Sequence, residues 1–329
     1  MHAPTRNATR AVHVSIALIF PGQGSQQVGM GRALADSFAP ARAVFEEVDA
    51  ALGQALSTVI FEGPDDALML TANAQPALMA VSLAAMRVLE AEAGLDVSRH
   101  AAFVAGHSLG EYSALAAAGS LTIADAARLL RIRGDAMQKA VPVGAGAMAA
   151  LLGLDLETAR SVASEAAEGE VCQAANDNAP GQVVVSGAKA AVERAIAIAK
   201  TQGAKRAVLL PVSAPFHCAL MQPAADVMAE ALAGVKISAP KAPLVANVTA
   251  SPLNDPEDIR QRLIEQVTGA VRWRESVGFM ANAGVTRFIE IGAGKVLAGL
   301  VKRNAEGATG ESVGAPDDVA RLKSDGAFG

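Results

Sequence analysis

Short apolar runs alternate along the chain with longer segments in which apolar residues recur at helical spacing. The first short run is SIALIF at 15–20, and the second is AAFVAG at 101–106. Runs of strand length between amphipathic segments predict a buried, mostly parallel sheet with helices packed on its faces. Helices are expected around the segments 29–50, 74–92, 109–118 and 122–140. The first part of the chain therefore indicates the α/β class.

The order of the predicted elements changes in the middle of the chain. Strand patterns occur at 147–153, 170–174, 182–187 and 206–212, helical patterns at 155–168 and 188–202, and a loop, NDNAPG, at 176–181. This βαββαβ order is typical of a ferredoxin-like unit. The α/β pattern then resumes with strands at 244–247 and 287–291 and helices at 219–233, 256–267, 272–283 and 295–304. The small unit is therefore expected to be inserted into the large one.

These patterns predict two subdomains and two terminal segments. Residues 14–143 and 213–304 are expected to form the large subdomain, and residues 144–212 the inserted ferredoxin-like one. The ends, 1–13 and 305–329, are expected to be flexible, the second because it is rich in Gly, Asp, Glu and Ser. A cleft between the two subdomains is the expected place for a ligand.

Composition excludes several classes of protein. The chain has 329 residues with a net charge of −5 and 3% aromatic residues, which argues against a nucleic-acid partner, since that needs a basic face and stacking platforms. No apolar stretch approaches the roughly 20 residues of a membrane span. The two cysteines, Cys172 and Cys218, do not make a disulfide framework or a zinc motif, which is typical of a cytoplasmic protein.

The N-terminal segment permits a second interpretation. Arg6 and Arg10 precede an apolar run, as in a secretory signal peptide. However, His13 and Ser15 interrupt the run, and PGQGSQ follows it where a cleavage site of small residues would be expected. A first buried strand is therefore favoured over a signal peptide.

The stretch AGHSLGEY at 105–112 contains the pattern G-x-S-x-G. A serine becomes a nucleophile when its hydroxyl is held clear of its surroundings and a base takes its proton. Gly106 and Gly110 permit the sharp strand-to-helix turn that presents Ser108 in this way. Coincidence is the alternative, but the motif follows an apolar strand and precedes a helical pattern, EYSALAAAG, as the mechanism requires. Ser108 is therefore a candidate nucleophile.

A base must come from five histidines: His2, His13, His100, His107 and His217. His107 adjoins Ser108, but neighbours on a strand point to opposite faces, so its ring is poorly placed to take the proton. His217, in the loop of VSAPFHCALM, is the favoured base, with a solvent-facing loop histidine as the alternative. Cys218 beside it lacks an elbow and is expected to be a small buried residue.

No acidic residue between Ser108 and His217 stands at a predicted strand end. The site is therefore expected to be a dyad in which an amide or a carbonyl group orients the histidine. Two glycine-rich segments, GQGSQQ and GAGK, do not complete a dinucleotide or phosphate-binding motif. The loop after the first strand is instead suited to donate N–H groups to an oxyanion.

Six segments in order, FPGQGSQQVGMG, GHSLGEYSALAAAG, RIRGDAMQ, NAPGQVVVSG, PFHCALM and EIGAGKVLAGL, resemble the malonyl-CoA:acyl carrier protein transacylases. The resemblance runs from about residue 15 to residue 304. It implies an α/β-hydrolase-like large subdomain with a parallel sheet and an inserted ferredoxin-like subdomain. This agrees with the fold predicted from the pattern of apolar residues.

The resemblance also implies roles for individual residues. Ser108 would bear the acyl group, His217 would be the base, and Gln266 would orient His217. The substrate would be bound by Arg133, Gln23, the backbone N–H of Leu109, His107 and Asn178, with Gln182 near the cleft. Glu111 is expected to be a first-turn helix residue favoured by the helix dipole rather than a catalyst.

Two side chains bear on the choice of acyl group. Arg133 lies in an otherwise apolar-faced helix, and its planar guanidinium could hold a malonyl carboxylate with two hydrogen bonds. The alternative is an exposed helix arginine, like Arg128 and Arg131. Phe216 could crowd a substituent at the α-carbon of the acyl group.

The expected reaction is transfer of malonyl from malonyl-CoA to acyl carrier protein in fatty acid synthesis, without metal or redox cofactor. A polyketide pathway, a serine esterase or thioesterase, and a binding module that only kept the fold are the alternatives. An acidic carrier protein would dock on local basic patches, with Lys189, Arg194, Lys205, Arg206, Lys302 and Arg303 as candidates. A monomer with neither nucleic acid nor membrane as a partner is expected.

Overall fold

The structure, a computed structural model, describes residues 15–328. In this range the strands are β1 (Ser15–Phe20), β2 (Ala101–Gly106), β3 (Gly146–Leu152), β4 (Cys172–Ala179), β5 (Gln182–Ala188), β6 (Arg206–Leu209), β7 (Leu244–Val245), β8 (Pro252–Leu253), β9 (Val285–Ile291) and β10 (Thr309–Val313).

The helices are α1 (Arg32–Ser37), α2 (Ala39–Leu52), α3 (Leu56–Glu62), α4 (Asp65–Met69), α5 (Thr71–Ala93), α6 (Val97–His100), α7 (Gly110–Ala117), α8 (Ile123–Ala140), α9 (Leu156–Ala167), α10 (Lys189–Thr201), α11 (Gln222–Ala233), α12 (Pro256–Thr268), α13 (Trp273–Asn282), α14 (Val296–Asn304) and α15 (Pro316–Ser324). A 3₁₀ turn, Ala219–Met221, precedes α11.

The large sheet has the strand order β10-β9-β1-β2-β7-β8, and only the short β8 pairs in the antiparallel sense. β1 is buried along almost its whole length, because helices cover both faces of the sheet. Its last residues pair with the ends of β2 and β9, so the loops that follow these three strands meet at one edge. This is the edge at which open α/β sheets bind ligands. The predicted α/β class is confirmed.

The small sheet has the strand order β4-β5-β3-β6, and every pair in it is antiparallel. With α9 and α10 its element order is βαββαβ, the ferredoxin-like arrangement predicted from the sequence. The expected loop at 176–181 is wrong, because β4 continues to Ala179. The pairing of this polar stretch with β5 outweighs the turn preference of Asn and Asp. The register of the β4–β5 pair is irregular at two points, as expected where such residues are placed in a strand. The subdomain boundaries at 143–144 and 212–213 stay a prediction.

The helix expected at 29–50 is divided into α1 and α2. Phe38 separates them with an extended backbone, φ −131° and ψ 123°, and Pro40 stands in the first turn of α2. Proline has no N–H to bond to the preceding turn and its ring would clash with a helical carbonyl four residues earlier, so Pro40 can begin a new helix but cannot continue α1, which explains the break within an otherwise continuous apolar pattern.

The expectation of a flexible tail at 305–329 is wrong. β10 adds a parallel edge strand beside β9, and α15 packs against α5. Val313, Val319, Leu322 and Phe328 are buried. The composition of this segment did not reveal the apolar positions, because Gly, Asp, Glu and Ser surround them. Glycine at position 310 is required by packing, because a Cβ there would lie 2.3 Å from the carbonyl oxygen of Ala298. The expected N-terminal arm, 1–13, lies outside the described residues.

The packing of α15 predicts a cost for emptying its buried face. Leu322→Ala should lower the free energy of unfolding by about 2–5 kcal/mol, since it leaves a cavity in the core. Lys323→Ala, at the next and exposed position, loses only a solvated ion pair with Glu92 and should cost at most about 1 kcal/mol. Urea unfolding of both variants measures the difference, and equal values would contradict the packing of α15.

Candidate active site

Ser108 stands two residues after β2, where the loop turns into α7. Its φ of 52° lies in the left-handed region, which a residue with a side chain adopts only where its surroundings hold it. A Cβ at Gly106 would lie 1.9 Å from the backbone of Gly110, and one at Gly110 would lie 2.3 Å from the carbonyl oxygen of Phe20. Both glycines are therefore required by the turn, which presents the Ser108 hydroxyl to the cleft.

His217 lies against this hydroxyl, with 2.8 Å between its Nε2 and Ser108 Oγ. Its Nδ1 lies 2.9 Å from the carbonyl oxygen of Gln266 and 3.1 Å from that of Gly269. Carbonyl oxygens only accept hydrogen bonds, so the ring proton is on Nδ1 and the lone pair on Nε2 faces the serine. Two backbone carbonyls thus do for His217 what an acidic side chain does in a serine triad.

The surroundings of His217 keep it neutral. Burial, together with the positive charge of Arg133, lowers the pKa of its imidazole to about 3, although the two carbonyl contacts oppose this shift. A neutral imidazole can take the proton of a serine hydroxyl, whereas an imidazolium cannot. His217 is therefore in its base form throughout the neutral pH range.

Arg133 lies in the apolar face of α8 beside Leu130 and Met137 and is only 1% exposed. Its Nη2 donates to Ser108 Oγ at 3.1 Å and to Gln266 Oε1 at 2.9 Å, and its Nη1 donates to Gln75 Oε1 at 2.8 Å. A buried cation next to the nucleophile can bind a carboxylate in a place that water does not reach. It differs from the exposed helix arginine that was the alternative for this position.

The other expected site residues differ in whether they line the cleft directly. Gln23, His107 and Leu109 line it together with Ser108. Asn178 is one step removed, because its Oδ1 lies 2.9 Å from His107 Nε2 and it contacts the site through that ring. The backbone hydrogen bonds of the turn into α7 begin with the N–H of Gly110, so in the described part of the chain the N–H of Leu109 has no backbone partner, as is usual at a helix N-terminus.

Gln266 orients His217 in a way the sequence does not reveal. Only its backbone carbonyl contacts the histidine, at Nδ1. Its side chain points elsewhere, accepting from Arg133 and donating through Nε2 to the carbonyl oxygen of Ser108 at 3.0 Å. Gln266 therefore connects the base, the nucleophile and the buried arginine.

Sequence reasoning missed Asn247 and Gln75. Asn247 Oδ1 accepts the N–H of Ser108 at 2.8 Å, and its Nδ2 donates to the carbonyl oxygen of Gly106 at 2.7 Å, so one amide holds both sides of the elbow. A polar residue at the end of the predicted strand 244–247 was an available signal for it. Gln75 lies in the apolar helix α5, and only the fold brings it to Arg133.

Glu111 is in the first turn of α7, as expected, and it is fully buried there. Its Oε2 accepts from Gln266 Nε2 at 2.8 Å and from the N–H of Asn247 at 3.1 Å. Burial raises the pKa of Glu111 to about 7, and its hydrogen bonds and Arg133 only partly oppose the shift.

A cleft of about 760 Å³ lies over Ser108, a volume typical of sites for small molecules. The large sheet contributes Gln23 and Leu109 to its lining, and the small sheet contributes Met148 and Asn176. Among residues 15–328, no three His, Cys, Asp or Glu side chains lie together as metal ligands would, and no helix is long and apolar enough to cross a membrane. Reaction without a metal or redox cofactor stays a prediction.

The fold and the site define a serine enzyme that forms acyl intermediates. The acyl transferase domain model matches residues 17–320. The malonyl CoA-acyl carrier protein transacylase of Bacillus subtilis (strain 168) is 48% identical over 289 residues, 88% of this chain and 90% of that protein. The chain therefore belongs to the malonyl CoA-acyl carrier protein transacylase family, as the six sequence segments indicated.

Solved structures agree with this assignment. The acyl-carrier-protein-S-malonyltransferase of Bartonella henselae has a TM-score of 0.93 at 55% identity, over 96% of this chain and 100% of that one. A malonyl-transacylase solved in complex with its type II PKS acyl-carrier protein has a TM-score of 0.91 at 42% identity, over 94% of this chain and 99% of that one.

The close contacts at Gly106 predict a specific sensitivity of the elbow. Gly106→Ala should abolish acyl-enzyme formation and lower the melting temperature, because its Cβ would collide with backbone atoms that cannot move aside. Gly278→Ala, inside α13, meets nothing within 4 Å and should raise stability by roughly 0.5–1 kcal/mol through helix propensity. Thermal unfolding and active-site labelling compare the two, and full labelling of the Gly106 variant would be incompatible with this geometry.

Proposed function

We propose that this chain transfers the malonyl group of malonyl-CoA to the phosphopantetheine thiol of acyl carrier protein through a malonyl ester of Ser108. The observation on which this rests most is the buried guanidinium of Arg133, 3.1 Å from the nucleophile oxygen. A carboxylate-bearing acyl group supplies the anion that this cation lacks. Ser108, His217, Arg133, Gln23 and Leu109 are the residues to which we assign the chemistry.

In the first half-reaction, Ser108 Oγ gives its proton to His217 Nε2 and attacks the thioester carbonyl carbon. The N–H of Leu109 and the loop that bears Gln23 stabilise the negative oxygen of the tetrahedral intermediate. The carbon–sulfur bond then breaks, and His217 returns the proton to the leaving thiolate, so that free CoA departs. Arg133 holds the malonyl carboxylate while Ser108 bears the ester.

The second half-reaction repeats these steps in reverse. His217 takes the proton of the carrier's thiol, and the resulting thiolate attacks the malonyl ester. Collapse of the tetrahedral intermediate breaks the bond to Ser108 Oγ, which recovers its proton from His217. The products are malonyl-carrier protein and free enzyme, in a ping-pong cycle.

Arg133 also weighs against a neutral esterase or thioesterase. A hydrolase of neutral esters gains nothing from a cation buried beside its serine, since burying an unpaired charge is costly. A polyketide pathway remains the second candidate, because a similar structure was solved with a type II PKS carrier. Turnover with fatty acid and polyketide carrier proteins separates these two. Phe216, which lines the cleft, is proposed to disfavour acyl groups substituted at the α-carbon.

For carrier docking we favour Lys189 among the six basic candidates. Lys189 is the first residue of α10 and lies beside Gly146, at the start of β3. Gly146 packs against Pro215, which is close to His217 in the chain. Lys205 and Arg206 adjoin the opposite end of β3, at Leu152.

Two other candidates have partners already. Arg194 forms ion pairs with Glu168 and Glu170. Arg303 contacts the side chain of Gln182, which lies opposite Leu152, at the other end of β3 from Gly146. We further propose a monomer, since one chain supplies every assigned residue, and a reducing cytoplasm, since both cysteines are free thiols.

Intact mass after incubation with malonyl-CoA tests the reaction itself. The wild type should gain one malonyl group, and Ser108→Ala should gain none, because it removes the only atom that accepts the acyl group in the proposed cycle. Ser113→Ala, which changes a buried serine in α7, the helix that follows Ser108, should be acylated like the wild type. A full adduct on the Ser108 variant would exclude the assignment, and turnover without any adduct would favour a hydrolase.

Arg133→Ala tests the choice of acyl group. Loss of one partner of a buried charge pair costs about 2–5 kcal/mol, which corresponds to roughly a 30- to 4,000-fold fall in kcat/KM for malonyl-CoA. Transfer of acetyl should stay level or rise, because an acetyl group has no carboxylate to lose. Arg133→Lys should recover part of the malonyl rate, since an ammonium keeps the charge but not the planar fork.

Arg128→Ala, on the exposed side of the same helix, is the matched control and should leave both rates unchanged. Both thioesters are assayed on all four proteins. An equal loss for malonyl and acetyl in Arg133→Ala would make Arg133 a structural residue and remove the main support for a malonyl substrate.

A further inference from the structure

Glu111 is a buried carboxyl group that the proposed mechanism does not use. It is fully buried three residues after the nucleophile, and its Oε1 has no hydrogen-bond partner in the described part of the chain. Burying a carboxylate is costly unless the group is paired and hydrogen-bonded. Both of its hydrogen bonds go to Oε2, one from Gln266 Nε2 and one from the N–H of Asn247.

The side-chain amide of Gln266 connects Glu111 to Arg133 through hydrogen bonds to both. A carboxamide has a donor end and an acceptor end, and the two can exchange by a half-turn. A carboxylate only accepts hydrogen bonds, so Glu111 requires the NH₂ end of Gln266 to face it, 2.8 Å away. The oxygen end must then face the guanidinium, and it accepts from Arg133 Nη2 at 2.9 Å. The opposite orientation would place NH₂ against a cation.

We propose that Glu111 is a positioning residue which, through the amide of Gln266, fixes the guanidinium of Arg133 and thereby the preference for an acyl group that bears a carboxylate. This inference rests on the proposed function and adds to it a determinant of specificity outside the cleft lining. Glu111 touches neither the nucleophile oxygen nor the base. Its effect should therefore appear in the choice between acyl groups rather than in acyl transfer as such.

The ionisation of Glu111 gives this arrangement a pH dependence. Its pKa of about 7 means that it takes up a proton just below neutrality. A protonated carboxyl group is a weaker hydrogen-bond acceptor than a carboxylate, so its hold on the NH₂ end of Gln266 weakens and that end is then fixed mainly by the carbonyl oxygen of Ser108.

The titratable groups that face Glu111 are Arg133 from α8 and Tyr112 from its own helix. Both keep their protonation state in this range, since burial raises the pKa of Tyr112 and a guanidinium stays charged. His217 and His107 contact Ser108 and Asn178 instead. They act on malonyl and acetyl thioesters alike, so their titration cancels in the ratio of the two rates.

The test measures kcat/KM for malonyl-CoA and acetyl-CoA between pH 6 and pH 8. In the wild type the malonyl-to-acetyl ratio should fall toward pH 6 by up to roughly tenfold, because about a tenth of Glu111 is ionised one unit below its pKa. Glu111→Gln resembles the protonated acid, because it keeps an oxygen at the Oε2 position but cannot ionise. Its ratio should match the wild-type value at pH 6 and should not change with pH.

Glu111→Leu removes the acceptor and should lower the ratio roughly ten- to hundredfold at every pH, a usual cost of misplacing a group that positions the substrate. Glu265→Gln is the matched control, because it neutralises an exposed carboxylate next to Gln266 without touching the buried bonds. It should behave like the wild type. Thermal unfolding of each variant shows whether it is folded.

An unchanged ratio in folded Glu111→Leu, or an equal loss for both thioesters, would overturn the proposal. If that variant does not fold, Glu111→Gln decides, since a wild-type pH dependence in it would assign the titration to another group and overturn the proposal. A wild-type ratio independent of pH would do the same. Absence of a malonyl ester on wild-type Ser108 would instead refute the proposed function, so the two failures are distinguishable.

Discussion

The burial of one guanidinium beside the nucleophile is the constraint on which the rest of the site depends. Arg133 is removed from water, so its N–H groups need acceptors within the protein; Gln75, Gln266 and Ser108 accept from its two Nη atoms, and its Nε has no partner in the described part of the chain. Its charge also lowers the pKa of His217, which burial alone already depresses. The same cation thus prepares a site for a carboxylate and keeps the base unprotonated, two requirements that a neutral residue at this position would not meet together.

Both reacting residues have a strained backbone, and in residues 15–328 they share this conformation, among residues other than glycine, with Glu168 and Ala250. Ser108 has a φ of 52° and His217 a φ of 59°, both in the left-handed region. Such conformations cost about 1–3 kcal/mol each and persist only where neighbouring groups hold them. The Asn247 amide holds the first, and the second is held by two backbone carbonyls on its ring. The polar contacts that surround the site therefore serve to keep two unfavourable backbone conformations in place.

The local sequence pattern was sufficient to predict those site residues that stand in a recognisable short segment. The elbow at Ser108, the base at His217 and the arginine within an apolar helix face each have a local signature, and the α/β and βαββαβ orders follow from the spacing of apolar runs. The contacts around them could not be predicted in this way. Gln266 meets Glu111 across 155 positions, and the groups that orient His217 are backbone carbonyls, which every residue has. The sequence predicted an amide or a carbonyl group in place of an acidic residue, and only the folded chain shows that these groups are the carbonyls of Gln266 and Gly269.

The two sheets are joined at the segment that also orients the base. Val271 accepts from the N–H of Asp177 and donates to the carbonyl oxygen of Ala175, so β4 continues across to the large subdomain. Arg274 adds an ion pair with the carboxylate of Asp177, which is almost fully buried. Gly269, two residues before Val271, contributes one of the carbonyls that hold His217. The hydrogen bonds that join the two sheets and one of those that hold His217 therefore lie within three residues of one segment, so the packing of the small sheet on the large one also supports the position of the base.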